Sequence, residues 1–404
     1  KGIRFFLFTL ILIFGCYYFL KLYQAKKLYS SLGSSPSSII EENFTFRDLN
    51  KNGRLDVYED FREPIDKRAE DLLNQMTIEE KIGQMFITMI GMGRSGGHLD
   101  VPPILIDIFD DPLIEFGLYF SLETNAEMIV NRKMSHFNIL QAYTPEAIAR
   151  FNNNLQRKAE RTRLGIPITI ATDPRHGARE DEKGVGGIFT PSFSRWPTSL
   201  GLAATRDSTL VREFGEIARE EYKACGIRLA LHPMADLATE PRWARINGTF
   251  GEDAELSADM AYSDIKGFQG DTLSSKSVIT MVKHFSGGGP QKDGEDAHFP
   301  YGKEQVYPGD NFDYHLIPFT KGALPANTGQ IMPYYGIPVG QTKEDVGFGF
   351  NKEIITELLR DSLKFDGVVC SDWNIINTMP LAELAGGERS WGVENLTPEQ
   401  RMKK

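Results

Sequence analysis

Apolar residues collect in short, β-branched runs that each end in a polar group. Ile166 to Thr172 leads into Asp173-Pro174-Arg175-His176-Gly177, and Val278 to Val282 leads into Lys283-His284-Phe285. Ile331-Met332 is followed by Tyr334, and Val368-Val369-Cys370 by Ser371-Asp372-Trp373. A run of this kind reads as a buried parallel strand that delivers a functional group at its C-terminal end, which makes Asp372 the first candidate for chemistry. Between the runs lie helical patterns. Asp207 caps a helix whose apolar residues Leu210, Val211, Phe214, Ile217, Ala218 and Tyr222 recur at three- and four-residue spacing, ending at Gly226. Asn351 caps another carrying Ile354, Ile355, Leu358 and Leu359, and Thr77 with Glu80 forms a capping-box signature.

Strands alternating with helices predict a parallel α/β fold. Polar groups at the ends of several different strands suit the (β/α)8 TIM-like barrel, where all such ends share one mouth, better than a doubly wound sheet. The Gly-rich stretch Ser286-Gly287-Gly288-Gly289 has neither dinucleotide nor P-loop spacing, so it reads as a tight turn that lets backbone approach closely.

A barrel takes roughly 250 residues, which fits within the 404 residues here. Six or seven strand candidates lie between Met85 and Cys370, and the sequence stops in a helix opening at Thr397-Pro398. The expectation is therefore a barrel incomplete at its C-terminus. Residues 1–27 hold Lys1 and Arg4, the apolar stretch Phe5 to Leu20, then Lys21, Lys26 and Lys27, the pattern of a signal peptide or signal anchor. This predicts an extracytoplasmic protein, secreted or membrane-anchored through that segment, in a bacterial periplasm or at a cell surface. Residues 28–47, rich in Ser with Gly and Pro, read as a linker, and 60–404 as the barrel.

Residues 48–59 match a twelve-residue EF-hand loop. Asp48, Asn50, Asn52, Asp56 and Glu59 supply oxygen side chains, Gly53 the turn, and Arg54 a carbonyl. A structural calcium ion is expected there, and no cofactor for catalysis. Cys16, Cys225 and Cys370 form no disulfide or zinc pattern, and Cys370 reads as a small buried hydrophobe. The net charge of -10 argues against nucleic acid as a partner.

Several motifs together resemble glycoside hydrolase family 3. They are Lys283-His284-Phe285-Ser286-Gly287-Gly288-Gly289-Pro290 with Asp293 to Asp296 following, Thr77 to Met85, Asp173 to Gly177, Pro241 to Arg245 with Gly251 to Asp253, and Ser371-Asp372-Trp373. They occur in order from about residue 66 to the end. The resemblance implies a retaining exo-acting β-glucosidase that removes terminal non-reducing β-D-glucosyl residues from oligo- or polysaccharides, with Asp372 as nucleophile. It implies that Asp173, Arg245, Lys283 and His284 hold the sugar hydroxyls, with Tyr334 beside the nucleophile; Trp373 is read as stacking on the aglycone side. It also implies that the acid/base residue comes from a second, α/β sandwich domain after the barrel, absent here. Cationic Lys283 and Arg245 would keep Asp372 ionised, and retention needs a proton donor about 5 to 5.5 Å away.

Two alternatives stay open. One is the β-N-acetylhexosaminidase branch of the same family, using an Asp296/His298 pair. The other is a membrane-tethered glycan-binding protein without turnover. Arg175 and His176 receive no role.

Overall fold

The computed structural model describes residues 2–93, 95–98, 100, 123–139, 144–177, 193–376 and 389–404. The fold is α/β with seven parallel strands in one sheet. They are β1 (Ile87–Ile90), β2 (His136–Ile139), β3 (Thr169–Thr172), β4 (Ile227–Ala230), β5 (Ile279–Phe285), β6 (Gln330–Pro333) and β7 (Val368–Val369). Their order in the sheet follows their order in the chain, without the reversal that defines a doubly wound sheet. That is the winding expected of a barrel-type α/β domain. The chain divides into two compact units, residues 1–171 and 172–404.

In the first unit a helix spans Gly2–Ser30. Arg161 fastens its end: the guanidinium donates to the Tyr29 carbonyl in the last turn at 3.5 Å, where no helical N–H can reach, and just past the helix to the carbonyls of Leu32 at 3.3 Å and Gly33 at 2.9 Å. Among the described residues no helix is long and apolar enough to cross a membrane. The expected linker is in part ordered structure, since Ser37–Glu41 pairs antiparallel with Phe44–Asp48. Glu42 and Asn43 turn the hairpin with φ of 51° and 69°, the left-handed pair that matches strand twist. Phe46 is buried and packs on Phe61 at 4.9 Å, with the Arg62 guanidinium over its ring. Apolar side chains hold this segment down, and its Ser-rich composition concealed them.

The capping box at Thr77 and Glu80 is formed. Thr144 caps Pro145–Ala159, whose Ile148, Phe151 and Leu155 are buried at helical spacing.

The second unit carries β4 to β7. Its helix Ser208–Cys225 starts at Asp207, which accepts from the Thr209 and Leu210 N–H groups, and ends at Gly226 with φ 82°. A side chain there would be strained, so glycine stops the helix. Asn351 likewise accepts from the Ile354 N–H at the head of Glu353–Ser362. The core joins Ile265, Val282, Phe285, Phe319, Ile331, Tyr334, Tyr335, Phe348 and Leu359. β7 departs from the expected buried strand: it is two residues long and Val368 is exposed, and among the described residues β7 pairs on one side only, with β6.

Candidate active site

Each of β4 to β7 delivers a polar group at or just past its C-terminal end. β4 leads to Asp236, β5 ends in Lys283-His284-Phe285, β6 leads to Tyr334-Tyr335, and β7 leads to Asp372. Asp173 follows β3. The chain beyond β4 runs on beside β5, with Lys283 N–H donating to the Pro233 carbonyl and Ala235 N–H to the Lys283 carbonyl. This pairing carries Asp236 to His284.

Asp372 is buried, and its two oxygens differ. Oδ1 accepts from the Tyr335 hydroxyl at 2.6 Å and from the Trp373 N–H at 2.8 Å. Oδ2 has no hydrogen-bond partner among the described residues, and His284 Nε2 faces it at 3.8 Å. Tyr335 is fixed in turn by Arg389, whose Nη1 bonds its hydroxyl at 3.0 Å. Tyr335, rather than Tyr334, is thus the tyrosine on the candidate nucleophile. Tyr334 is buried against the His284 ring at 4.7 Å, with its hydroxyl 3.5 Å from Asp296.

Lys283 Nζ pairs with Asp173 Oδ1 at 2.8 Å. His284 Nδ1 lies 2.7 Å from Asp236 Oδ2, and its Nε2 lies 3.4 Å from Arg245 Nη2. Asp236, which the sequence reading did not single out, is fully buried and also accepts backbone N–H bonds from His284 and Gly288. A side chain on Gly288 would put its Cβ 2.9 Å from Asp236 Oδ1 and from the Tyr334 ring, so the turn needs glycine there. The close backbone approach expected of the Gly-rich stretch is thus an approach to Asp236.

Burial opposes the charge on Asp236, but His284, the Gly288 N–H and Arg245 outweigh it and hold the carboxyl below the usual range. Burial pulls His284 below the usual imidazole value despite Asp236. Burial also works against the Arg245 guanidinium, yet Tyr334 and the carboxylates of Asp296, Asp372 and Asp236 together hold it above its ordinary value. Arg245 Nη1 is buried without a partner among the described residues.

Asp296 and His298 meet as a pair. Asp296 Oδ1 accepts from the His298 N–H at 2.8 Å and lies 2.5 Å from Nδ1, while Oδ2 accepts from Trp243 Nε1 at 2.7 Å. Burial disfavours the Asp296 charge, but His298 and Arg245 hold its carboxyl well below the usual range. His298 packs edge-on to Tyr335 at 4.8 Å. Trp243 is buried and so belongs to the core, while Trp373 is half-buried.

His176 is structural: its Nε2 meets Glu221 at 2.6 Å and its ring stacks on Phe193 at 5.3 Å. Arg175 is buried, with Nε donating to Thr172 at 2.7 Å. Cys370 is half-buried, and burial with nearby Asp372 pushes its thiol up to about 12, away from the thiolate a nucleophile needs.

The 48–59 loop, in the first unit, adopts its expected turn, with Gly53 at φ 80°. Its donor types fit calcium, but the side chains bond within the loop. Asp48 accepts from the Asn52 and Gly53 N–H groups, and Glu59 from those of Leu49, Asn50 and Asp56. Asp56 takes the Asn50 and Asn52 amides, and the Arg54 side chain leans on it at 3.5 Å. Among the described residues no three His, Cys, Asp or Glu side chains gather in a metal-holding group.

Residues 77–385 match the glycosyl hydrolase family 3 N-terminal domain. A β-glucosidase C of Emericella nidulans is 49% identical over 357 residues, 88% of this chain and 54% of that protein. A periplasmic β-glucosidase/β-xylosidase of Dickeya chrysanthemi is 43% identical over 383 residues, 91% of this chain and 56% of its own. The chain thus spans about half the length of the curated relatives it matches. Among solved structures, a β-glucosidase of saponin metabolism from intestinal bacteria superposes with TM-score 0.55 at 28% identity, covering 77% of this chain and 34% of that one. A β-N-acetylhexosaminidase from Beutenbergia cavernae superposes with TM-score 0.54 at 22% identity, covering 74% and 78%, and shares the fold. With its motifs, its strand-end cluster and the match over residues 77–385 in agreement, the chain belongs to glycosyl hydrolase family 3.

Proposed function

We propose that the protein is a retaining β-glucosidase that takes terminal β-D-glucosyl residues from oligosaccharides or glycosides through a covalent intermediate on Asp372. The observation that carries this reading is the asymmetry of the Asp372 carboxylate: one oxygen is held by Tyr335 and the Trp373 N–H, and the other is open. A held carboxylate with one free oxygen can trap an oxocarbenium-like carbon as it forms. The Lys283–Asp173 pair, its lysine buried and its carboxylate half-buried, and Arg245 Nη1, unpartnered among the described residues, give the terminal sugar both donors and acceptors for its hydroxyls. His284 lies beside them, its Nε2 3.4 Å from Arg245 Nη2 and 3.8 Å from Asp372 Oδ2. Trp373, half-buried beside the nucleophile, is assigned to the aglycone side.

The proton donor for the leaving group is assigned to a following domain. A leaving group that needs no proton tests the reading without it. With 2,4-dinitrophenyl β-glucoside we expect a burst of one dinitrophenolate per protein, then slow turnover that azide accelerates by forming the β-glucosyl azide. Absence of a burst from folded protein, or an α-configured azide, contradicts the retaining mechanism.

A second reading is favoured by one observation, the hydrogen-bonded Asp296/His298 pair. In a β-N-acetylhexosaminidase that pair would itself supply the proton. Faster turnover of an aryl N-acetyl-β-glucosaminide than of the glucoside decides for it.

We further propose an extracytoplasmic location, which the periplasmic relatives support, with the N-terminal segment acting as signal or anchor. Calcium at the 48–59 loop belongs to the same proposal. It would draw on Asp48, Asn50, Asn52, Asp56, Glu59 and the Arg54 carbonyl, and would have to displace the bonds those side chains now make.

A further inference from the structure

We propose that Asp236 is a positioning residue: it fixes His284 in the tautomer protonated on Nδ1, and so leaves Asp372 Oδ2 free as the attacking oxygen. This rests on the β-glucosidase reading and goes beyond it, because it assigns which oxygen attacks and which residue keeps it available.

Asp236 is fully buried, and its carboxylate is surrounded by donors, the N–H groups of His284 and Gly288 and the imidazole Nδ1 at 2.7 Å. An ionised carboxylate only accepts hydrogen bonds, so the contact to Nδ1 requires a proton on Nδ1. Burial favours the neutral imidazole, which carries one proton only. Nε2 is therefore a lone pair.

Its two neighbours agree with that assignment. Arg245 Nη2, 3.4 Å away, can only donate, so Nε2 accepts from it. Asp372 Oδ2, 3.8 Å away, is itself an acceptor, so no bond forms there. With the other tautomer both relations would reverse: Nε2–H would meet Arg245 donor to donor and would turn to Oδ2. A bond to Oδ2 would engage the lone pair that attack requires.

The Gly-rich turn supports the arrangement from the backbone. Gly288 brings its N–H onto Asp236 Oδ1 where no side chain would fit, which keeps the anion facing the imidazole.

In the covalent step Oδ2 forms the bond to the anomeric carbon as the bond to the leaving group breaks, and the leaving group departs with the bonding pair. From 2-deoxy-2-fluoro-β-glucosyl fluoride it departs as fluoride, which requires no proton.

The test combines a spectrum and a rate. In protein labelled with 15N-histidine, the His284 signals are identified by their loss in His284→Asn, and long-range 15N–1H correlation reads the tautomer. We expect protonated Nδ1 and unprotonated Nε2 in the wild type. In Asp236→Ala, checked for folding by circular dichroism, the proton should move to Nε2 and labelling by the fluoride should slow on the order of 100-fold or more, the scale on which a misplaced histidine tautomer costs catalysis elsewhere. The wild-type spectrum decides the tautomer even if the variant does not fold.

Protonation of His284 on Nε2 in the wild type overturns the inference, as does a folded Asp236→Ala that labels at the wild-type rate. A wild type with the expected tautomer that takes no label instead overturns the glycosidase reading, and the role of Oδ2 with it.

Discussion

The loop at residues 48–59 and the strand-end cluster around Asp372 are equally dense in polar side chains, but they use them in opposite ways. In the loop every carboxylate is engaged within the loop or its hairpin: Asp48 by Asn52, Gly53 and Ser37, Asp56 by two asparagine amides, and Glu59 by three backbone N–H groups. In the cluster some groups are tied down while others of the same residues stay open. Asp372 keeps Oδ2, and Arg245 keeps Nη1, without partners among the described residues. Leaving a buried polar atom unmatched costs about 1–3 kcal/mol, a cost that a sugar hydroxyl bound at this cluster would remove. The first region is a turn that completes itself, whereas the second keeps groups available to a ligand.

If that contrast holds, removing a donor from the cluster should hurt ligand binding far more than it hurts folding. Lys283→Ala or Arg245→Ala should weaken binding of glucose or an inhibitor that mimics it by about 1.5–3 kcal/mol, ten- to a hundredfold, as for hydrogen bonds to charged groups. Isothermal titration beside a thermal melt checks this, and unchanged affinity would leave both residues as scaffold only.

Tyr335→Phe removes one of the two bonds on Asp372 Oδ1. Labelling by the 2-fluoro fluoride should slow about tenfold, the lower end of the same range. The corresponding change at Tyr334, which does not bond Asp372, should have the smaller effect.

A third check concerns acid. The Asp296 carboxyl has its pKa depressed in the folded state, so the stability it contributes is present above the unfolded carboxylate value of about 4 and is lost as pH falls through the folded value. Urea unfolding between pH 7 and 3 should show wild type losing this contribution below about pH 4. Asp296→Asn, less stable at pH 7, should lose less over that interval.

The smallest expected effect is in the loop. Calcium in excess over its dissociation constant should add about 1–2 kcal/mol at most, since it must displace bonds already made, and melts with calcium and with chelator should differ by a few degrees. A Glu59→Gln protein should lose that difference.

Much of this was legible because strand ends and caps have local signatures. Asp173, Lys283, His284 and Asp372 follow apolar runs directly, and Asp207, Thr77 and Asn351 begin helices where the periodicity says they should. Asp236 was missed because Leu231 to Ala235 intervene after β4, and only the pairing of that segment with β5 brings it to His284. Tyr335, the tyrosine that bonds Asp372, was passed over beside Tyr334 for a different reason. Neighbours in extended backbone point to opposite sides, so a motif names the pair without saying which hydroxyl reaches Asp372. Arg389 had no signal at all, lying far along the chain from the tyrosine it holds. The hairpin at residues 37–48 was hidden by the Ser-rich stretch that leads into it, although Ile39, Ile40, Phe44 and Phe46 lie within its two strands.

The most direct test of the central claim is peptide mass spectrometry after reaction with 2-deoxy-2-fluoro-β-glucosyl fluoride, beside Asp372→Asn, with both proteins shown to be folded. The account predicts one fluoroglucosyl adduct in the wild type, on the peptide that contains Asp372, and none in the variant. An adduct on another carboxylate, or none on folded wild-type protein, would contradict it.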